Sequence, residues 1–117
     1  MHRIAIVIYS DLDGAGLSAN FRALNFAEEL LAAGDEVRLI YDGGGAKSLA
    51  KILAPYHCLH RAYAKASAAL HGACRECARA YRVFDTLEEK EVPLLAGFKG
   101  HLAFRPLLDE GFQIVTF

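Results

Sequence analysis

Two cysteines separated by two residues, in the segment LHGACRECA at positions 70–78, are the side chains best suited to chemistry in this sequence. Cys74 follows a short apolar run at the expected start of a helix, where free backbone N–H groups and a partial positive charge favour a thiolate. We therefore expect Cys74 to be accessible and to act as the nucleophile. Cys77 lies one turn further on the same face, where it could resolve a persulfide or mixed disulfide, or pack in the core.

The C-x-x-C spacing also fits two other kinds of site. A thioredoxin-type motif places such a pair at a helix start, so a dithiol redox protein is one alternative. A zinc site is another, because the pair supplies two ligands and His57 and His60 could complete a set of four. A helix surface or a loop hydrogen bond is the favoured role for these histidines, and Cys58 is predicted to be buried packing. His101 could cap the last predicted helix or reach a neighbouring subunit, but no chemical argument selects it.

The elements that must position these residues alternate between strand and helix along the whole chain. Apolar runs predict strands at 4–9, 37–41, 67–72, 92–98 and 112–117. Helices are predicted at about 18–33, 46–53, 57–66, 74–81, 85–92 and 103–111, with Gly34 ending the first. The alternation predicts a single α/β domain over residues 1–117. Its expected architecture is a three-layer α/β/α sandwich around a mostly parallel sheet of about five strands.

Loops at the carboxyl ends of parallel strands are the usual place for ligands. Three loops are expected to leave those ends and to meet on one rim, at 10–16, 42–45 and 71–74. The residues predicted to line this rim are Ser10, Asp11, Gly43, Gly44, Gly45 and His71. The segment YDGGGAKS lacks the glycine that a Walker phosphate loop needs before Lys-Ser. Its backbone N–H groups could still hold an anion, although turn formation alone is the favoured explanation.

Charge and composition argue against several classes of function. The formal net charge of −1 gives no basic field for nucleic acid. The first apolar run is far too short to span a bilayer and no signal-peptide cleavage pattern follows it, so the protein is expected in the cytoplasm. Three cysteines in a reducing compartment do not suggest a disulfide framework. The mean hydropathy is +0.20, and we expect the apolar excess to cover a subunit interface.

Four segments give the chain a resemblance to a known family. They are IAIVIYSD at 4–11, GDEVRLIYDGGGAKSLAKIL at 34–53, HGACRECARAYRV at 71–83 and VPLLAGFKGHLAFRPLLDEGFQIVTF at 92–117. Together they resemble the DsrE family of small sulfur-relay-like proteins, in order and over nearly the whole chain. The resemblance implies a flavodoxin-like fold, assembly into dimers, trimers or hexamers, and a cysteine that accepts sulfur as a persulfide and passes it to a partner protein. The matching residue is Cys74, with Cys77 as a second thiol.

The leading hypothesis is therefore a cytoplasmic persulfide carrier that needs no cofactor and forms homo-oligomers. The Cys74 thiolate would attack a donor persulfide and then hand the sulfur to an acceptor protein. Two alternatives belong to other classes. One is an oligomeric binding module whose rim loops hold a small anion or a metal, and the other is a structural or regulatory subunit without chemistry. Neither nucleic acid nor a membrane is an expected partner.

Overall fold

One parallel sheet of five strands organises the computed structural model, which describes all 117 residues. The strands are β1 (Arg3–Ile8), β2 (Glu36–Tyr41), β3 (Leu70–Cys74), β4 (Leu94–Leu95) and β5 (Gln113–Thr116). Their order across the sheet is β4-β3-β2-β1-β5, and every neighbouring pair is parallel. The predicted three-layer α/β/α architecture is confirmed.

The helices cover the two faces of the sheet unequally. They are α1 (Ala15–Ala32), α2 (Gly44–Ile52), α3 (His60–Ala66), α4 (Arg75–Ala80), α5 (Phe84–Glu89) and α6 (Arg105–Asp109). Because β1 to β4 step in one direction across the sheet, right-handed crossovers place α1 to α5 on the same face, and only α6 lies on the other. The core is divided accordingly into a cluster of 21 buried residues and a smaller one of seven. None of the helices combines the length and the apolar character that crossing a membrane requires.

The first strand shows why an uninterrupted apolar run predicts an interior position in the sheet. Successive side chains of a strand point to opposite faces of the sheet. Ile4, Ile6 and Ile8 therefore join the larger cluster, while Ala5 and Val7 join the smaller one. A strand buried on both faces has no solvent side, so every position of β1 from residue 4 onward is apolar.

Two predicted strands lie elsewhere than expected, and the first of these differences bears on the cysteines. The third strand was expected at 67–72 but runs over Leu70–Cys74, after a single 3-10 turn at Ser67–Ala69. Cys74 is therefore the last residue of β3 as well as the residue preceding α4. The fourth strand, expected at 92–98, is reduced to Leu94–Leu95 because the chain then turns back on itself in a short hairpin.

The expected end of the first helix is confirmed by its backbone bonds. Gly34 has a φ of +83° and its N–H donates to the carbonyl of Leu31, while the next N–H, of Asp35, donates to Leu30. This is the Schellman arrangement, which places a residue in the left-handed region just after the helix. Glycine enters that region without the strain that a side chain would add.

The predicted helix at 57–66 begins only at His60, so Cys58 lies before the helix and not on it. The residues before His60 form turns, so Cys58 lies on no helix face and its side chain is exposed. The prediction that Cys58 is buried packing is therefore wrong. Cys58 is the accessible thiol of the chain and stands outside the C-x-x-C pair, which makes it a natural control position.

The loop after β1 is held by a buried amide. Asn20 is completely buried in α1, and its Nδ2 group donates to the carbonyl and the hydroxyl of Ser10 and to the carbonyls of Asp11 and Gly16. Ser48 in α2 donates to the same Ser10 carbonyl over 2.7 Å. These bonds fix the start of the loop against two helices and so position one side of the rim.

Candidate thiol site

The carboxyl ends of the strands bring four chain segments together at one edge of the sheet. Tyr9 follows β1, Asp42 follows β2, and Cys74 ends β3. His101 arrives from the segment after β4, and Cys77 lies in the first turn of α4. Ligand sites in open α/β sheets lie at this edge, so the location agrees with the expectation for the fold.

The two thiols of the C-x-x-C pair share one imidazole nitrogen. The distance from Cys74 Sγ to His101 Nδ1 is 3.1 Å, and that from Cys77 Sγ to the same nitrogen is 3.6 Å. On its other side, the Cys77 thiol donates to Asp42 Oδ1 over 3.4 Å. The ligand atoms of Cys74, Cys77 and His101 all lie within 4.8 Å of one another. We refer to Cys74, Cys77, His101 and Asp42 as the thiol site.

A tight hairpin delivers His101 to this site. The carbonyl of Phe98 accepts a bond from the His101 N–H, and the Phe98 N–H donates to the His101 carbonyl. The two residues between them, Lys99 and Gly100, have positive φ values of 54° and 81°, as a type I′ turn requires. The tip packs on α4, since a Cβ atom added to Gly100 would lie 2.7 Å from Glu76 Cγ. Hairpin and helix thus hold the imidazole beside the thiols.

The Cys77 thiol and the nearby Tyr9 hydroxyl keep their protons at neutral pH. Burial raises the pKa of the Cys77 thiol to about 12; hydrogen bonding to Cys74 also raises it, against the lowering effect of the Gly43 N–H. Burial likewise raises the pKa of the Tyr9 hydroxyl to about 12, and the neighbouring Asp42 carboxylate adds to that increase. Cys77 is therefore a hydrogen-bond donor in the resting site.

The exposure of the two thiols is the reverse of what the sequence predicts. Cys74 has no exposed surface and belongs to the smaller core cluster, whereas Cys77 is half-buried. The reason is that Cys74 still belongs to β3, whose side chains face the core layers. The helix that follows has only six residues, so its dipole is weaker than that of a longer helix. His101, which contacts the Cys74 sulfur, is exposed.

The predicted rim residues on the first loop have structural partners. The Ser10 carbonyl accepts bonds from Asn20 and Ser48, and Asp11 Oδ1 accepts a bond from the backbone N–H of Asp13. Both residues lie at the predicted edge of the sheet. Their polar groups stabilise the loop, and none of them bonds to the two cysteines.

The glycines of the second loop are explained by close packing. Gly43 has a φ of +55° and donates its N–H to Asp42 Oδ1. Added Cβ atoms would lie 2.9 Å from the Tyr9 carbonyl oxygen at Gly44 and 1.9 Å from the Ile8 carbonyl oxygen at Gly45. The Gly45 N–H also bonds to the Asp42 carbonyl, so it is not free for an anion. The favoured explanation from the sequence, turn formation, therefore describes this loop better than anion binding.

His71 does not lie on the predicted rim. It is the second residue of β3, three positions before the carboxyl end of the strand. There it lines an apolar cavity of about 200 Å³ together with Ile40, Leu95 and Leu107. Burial lowers the pKa of His71, and the positive charge of Arg38 lowers it further. The expectation that 71–74 is a loop is wrong because β3 extends to Cys74.

The histidines predicted as alternative metal ligands are bonded elsewhere. His57 Nδ1 accepts the backbone N–H of Leu59, and His60 Nδ1 contacts the carbonyl of Ile52. Neither is part of the group formed by Cys74, Cys77 and His101. The favoured reading of the sequence for these two histidines, a local hydrogen bond, fits this arrangement, and the proposed set of two cysteines with His57 and His60 does not.

Three residues at this edge of the sheet were not selected from the sequence: His101, Asp42 and Tyr9. Asp42 directly follows a predicted strand and Tyr9 is the last residue of another, so the rule that ligand sites lie at carboxyl ends could have included them. A signal for His101 exists in the dipeptide Lys99-Gly100, because a glycine at the second central position favours a tight hairpin. That signal predicts the turn, but it does not predict that the turn brings His101 to the two cysteines.

Comparison with known proteins supports the fold. No protein-family model matches the sequence, and no curated protein matches it. Among solved structures, the chain is similar to a conserved protein of unknown function from Bacteroides thetaiotaomicron, with a TM-score of 0.63 and 14% sequence identity. The similarity covers 97% of this chain and 94% of that protein. At this level of identity it shows a shared architecture alone, a three-layer α/β/α sandwich.

Proposed function

We propose that this protein is a sulfur carrier of the DsrE type, in which Cys74 accepts a sulfur atom as a persulfide. The observation that carries the proposal is the 3.1 Å contact between Cys74 Sγ and His101 Nδ1. A thiol becomes a good nucleophile when an adjacent base removes its proton, and imidazole is the commonest such base in proteins. His101 is itself exposed, so a donor would reach the buried Cys74 sulfur by displacing this side chain.

The transfer step is balanced without a cofactor. His101 takes the Cys74 proton, and the thiolate attacks the outer sulfur of a donor R–S–SH. The donor S–S bond breaks, its electron pair leaves on R–S⁻, and His101 returns the proton to that leaving group. His101 then takes the proton of an acceptor thiol, the acceptor thiolate attacks the outer sulfur of Cys74–S–SH, and Cys74 leaves as a thiolate that regains this proton from His101. One sulfur moves in each half and the protein returns to its starting state.

Cys77 supports the carrier by keeping its own proton. Its thiol lies beside Cys74 and donates its one proton to Asp42, so it is not a competing nucleophile. A persulfide formed at Cys74 would thus remain available to an acceptor protein instead of being converted at once into a disulfide.

Intact-mass spectrometry tests the proposal. The parent chain is treated with a small persulfide donor in the presence of a chelator, and we expect a gain of one sulfur mass at Cys74 that a reductant reverses. The variant Cys74→Ser should lose this gain, while Cys58→Ser should keep it, since Cys58 lies outside the site. Equal sulfur uptake by Cys74→Ser and the parent chain would show that Cys74 is not the acceptor.

Dithiol redox chemistry is a second candidate, favoured by the proximity of the two sulfurs within the 4.8 Å group. Cys74 would attack the disulfide of a partner, and Cys77 would resolve the mixed disulfide, leaving the partner reduced and the pair oxidised. The same mass measurement separates the two candidates. A loss of two hydrogens in place of a gain of sulfur would favour the redox role.

We also infer that the protein works in the cytoplasm as a homo-oligomer, with sulfur donor and acceptor proteins as its partners. Apolar surface supports self-association: Leu17 and Phe21 lie one turn apart on α1 and are 36% and 44% exposed, and Leu108 on α6 is 60% exposed. Light scattering at micromolar concentration is expected to give a mass of at least twice the monomer mass. A monomer under these conditions would contradict the inference.

A further inference from the structure

The ligand atoms of Cys74, Cys77 and His101 form a compact triangle at the edge of the sheet, all within 4.8 Å of one another. Thiolate and imidazole are donors that Zn²⁺ takes in proteins, and a three-ligand set leaves a fourth position open. We propose that these three side chains bind a soft divalent cation, Zn²⁺ or a chemically similar metal, with solvent at the fourth position. This inference is independent of the proposed sulfur transfer, because metal binding needs no donor.

The distances within the triangle suit a tetrahedral ion. With metal–sulfur bonds of about 2.3 Å and metal–nitrogen bonds of about 2.05 Å, tetrahedral angles place sulfur and nitrogen about 3.6 Å apart. Cys77 Sγ lies 3.6 Å from His101 Nδ1. Cys74 Sγ, at 3.1 Å, is closer to that nitrogen than the ideal and would have to move outward by about 0.5 Å. The exposed His101 side chain can make this adjustment.

The surrounding charge favours a cation. Asp42 is only 9% exposed, and its Oδ1 lies 3.4 Å from Cys77 Sγ. No lysine or arginine forms an ion pair with this carboxylate. When the metal binds, both thiols lose their protons to solvent, and two thiolates then stand beside an existing negative charge. A divalent cation supplies the countercharge that the protein does not provide.

Asp42 acts next to the metal and not as one of its ligands, because its carboxylate is not a member of the three-residue group. It is held in place by the Gly43 N–H at 2.9 Å. Such outer groups typically change metal affinity by about 10- to 100-fold when they are removed. We therefore expect Asp42→Asn to weaken binding by about tenfold without abolishing it.

The donor set also selects the class of cation. Mg²⁺ and Ca²⁺ require six or more oxygen ligands, which a site with two sulfurs and one nitrogen cannot offer. Soft thiolate ligands with one imidazole prefer zinc and related transition metals. Mg²⁺ is therefore a suitable negative probe for the same site.

Metal titration of the reduced full-length chain tests this proposal in the absence of any sulfur donor. We expect one Zn²⁺ per chain by native mass spectrometry, with a dissociation constant below micromolar. Co²⁺ should give the visible absorption of a tetrahedral ion together with a thiolate-to-cobalt charge-transfer band, and Mg²⁺ should not compete. His101→Gln and Cys77→Ser are expected to weaken binding by more than about 100-fold, since each removes a direct ligand.

Matched variants keep the test decisive. Cys58→Ser and His60→Gln remove a thiol and a histidine outside the triangle and should bind metal like the parent chain. Circular dichroism checks that His101→Gln, a change at an exposed position, leaves the fold intact. The proposal is overturned by absence of stoichiometric Zn²⁺ in the parent chain, by full binding in His101→Gln, or by loss of binding in His60→Gln. None of these outcomes depends on whether Cys74 accepts sulfur.

Discussion

A His101→Gln variant is expected to accept sulfur at Cys74 about 100-fold more slowly than the parent chain, since a positioned base typically contributes 10²- to 10⁴-fold. The imidazole at 3.1 Å is the only basic side chain in contact with the Cys74 sulfur. Glutamine retains similar size and polarity but cannot take the proton. The rate is measured as the appearance of the one-sulfur mass gain, in the presence of a chelator so that no metal occupies the thiols.

Rescue by added imidazole distinguishes proton transfer by His101 from a purely structural role of this residue. His101→Ala should be slow as well, and added imidazole should restore part of its rate, because the free base can enter the space left by the exposed side chain. His60→Gln is the matched control and should keep the parent rate, since His60 bonds to a carbonyl away from the site. Uptake at the parent rate by His101→Gln would show that His101 does not act as the base. It would leave the role of Cys74 as the acceptor to the Cys74→Ser variant.

A Gly45→Ala variant is expected to lose more than about 3 kcal/mol in the free energy of unfolding, at the upper end of the cost of overpacking. The added Cβ would lie 1.9 Å from the Ile8 carbonyl oxygen and 2.8 Å from the carbonyl carbon. These are backbone atoms of the interior strand β1, so no side-chain rotation relieves the overlap. Helix α2 would have to move away from β1 and would take the Asp42–Gly43 turn with it.

Urea unfolding of matched variants measures this effect. Gly34→Ala is the control, because Gly34 has a positive φ of 83° and no atom within 4 Å of its added Cβ. That change introduces only backbone strain, about 1–2 kcal/mol. A smaller loss in Gly45→Ala than in Gly34→Ala would show that α2 does not depend on the close approach to β1.

The alternation of elements was predictable because its causes are local. A strand buried on both faces must be apolar at each position, as β1 is, and a helix that ends in a Schellman turn favours glycine, as at Gly34. These preferences act over a few neighbouring residues, so they can be read along the chain. The third and fourth strands were misplaced because their ends depend on pairing with distant strands and on the hairpin that follows β4.

Some residues of the thiol site could also be predicted from local sequence, and others could not. Cys74 and Cys77 could be selected because their spacing is a property of one segment. His101 lies 27 residues from Cys74 and Asp42 lies 35 residues from Cys77, and both reach the pair only because parallel strands end at the same edge of the sheet. The burial of Cys74 likewise follows from its place at the end of β3 under a second core layer.

The sequence by itself determined the fold class, the single sheet and the pair of thiols that could do chemistry, since hydrophobic periodicity and short motifs are local properties. The tertiary structure decided the order of the strands, the base that contacts Cys74 and the carboxylate that contacts Cys77. It also decided that Cys58 is exposed and that His57 and His60 are not near the pair. The physical reason is that contacts between distant residues depend on how the strands are stacked, and no short stretch of sequence contains that information.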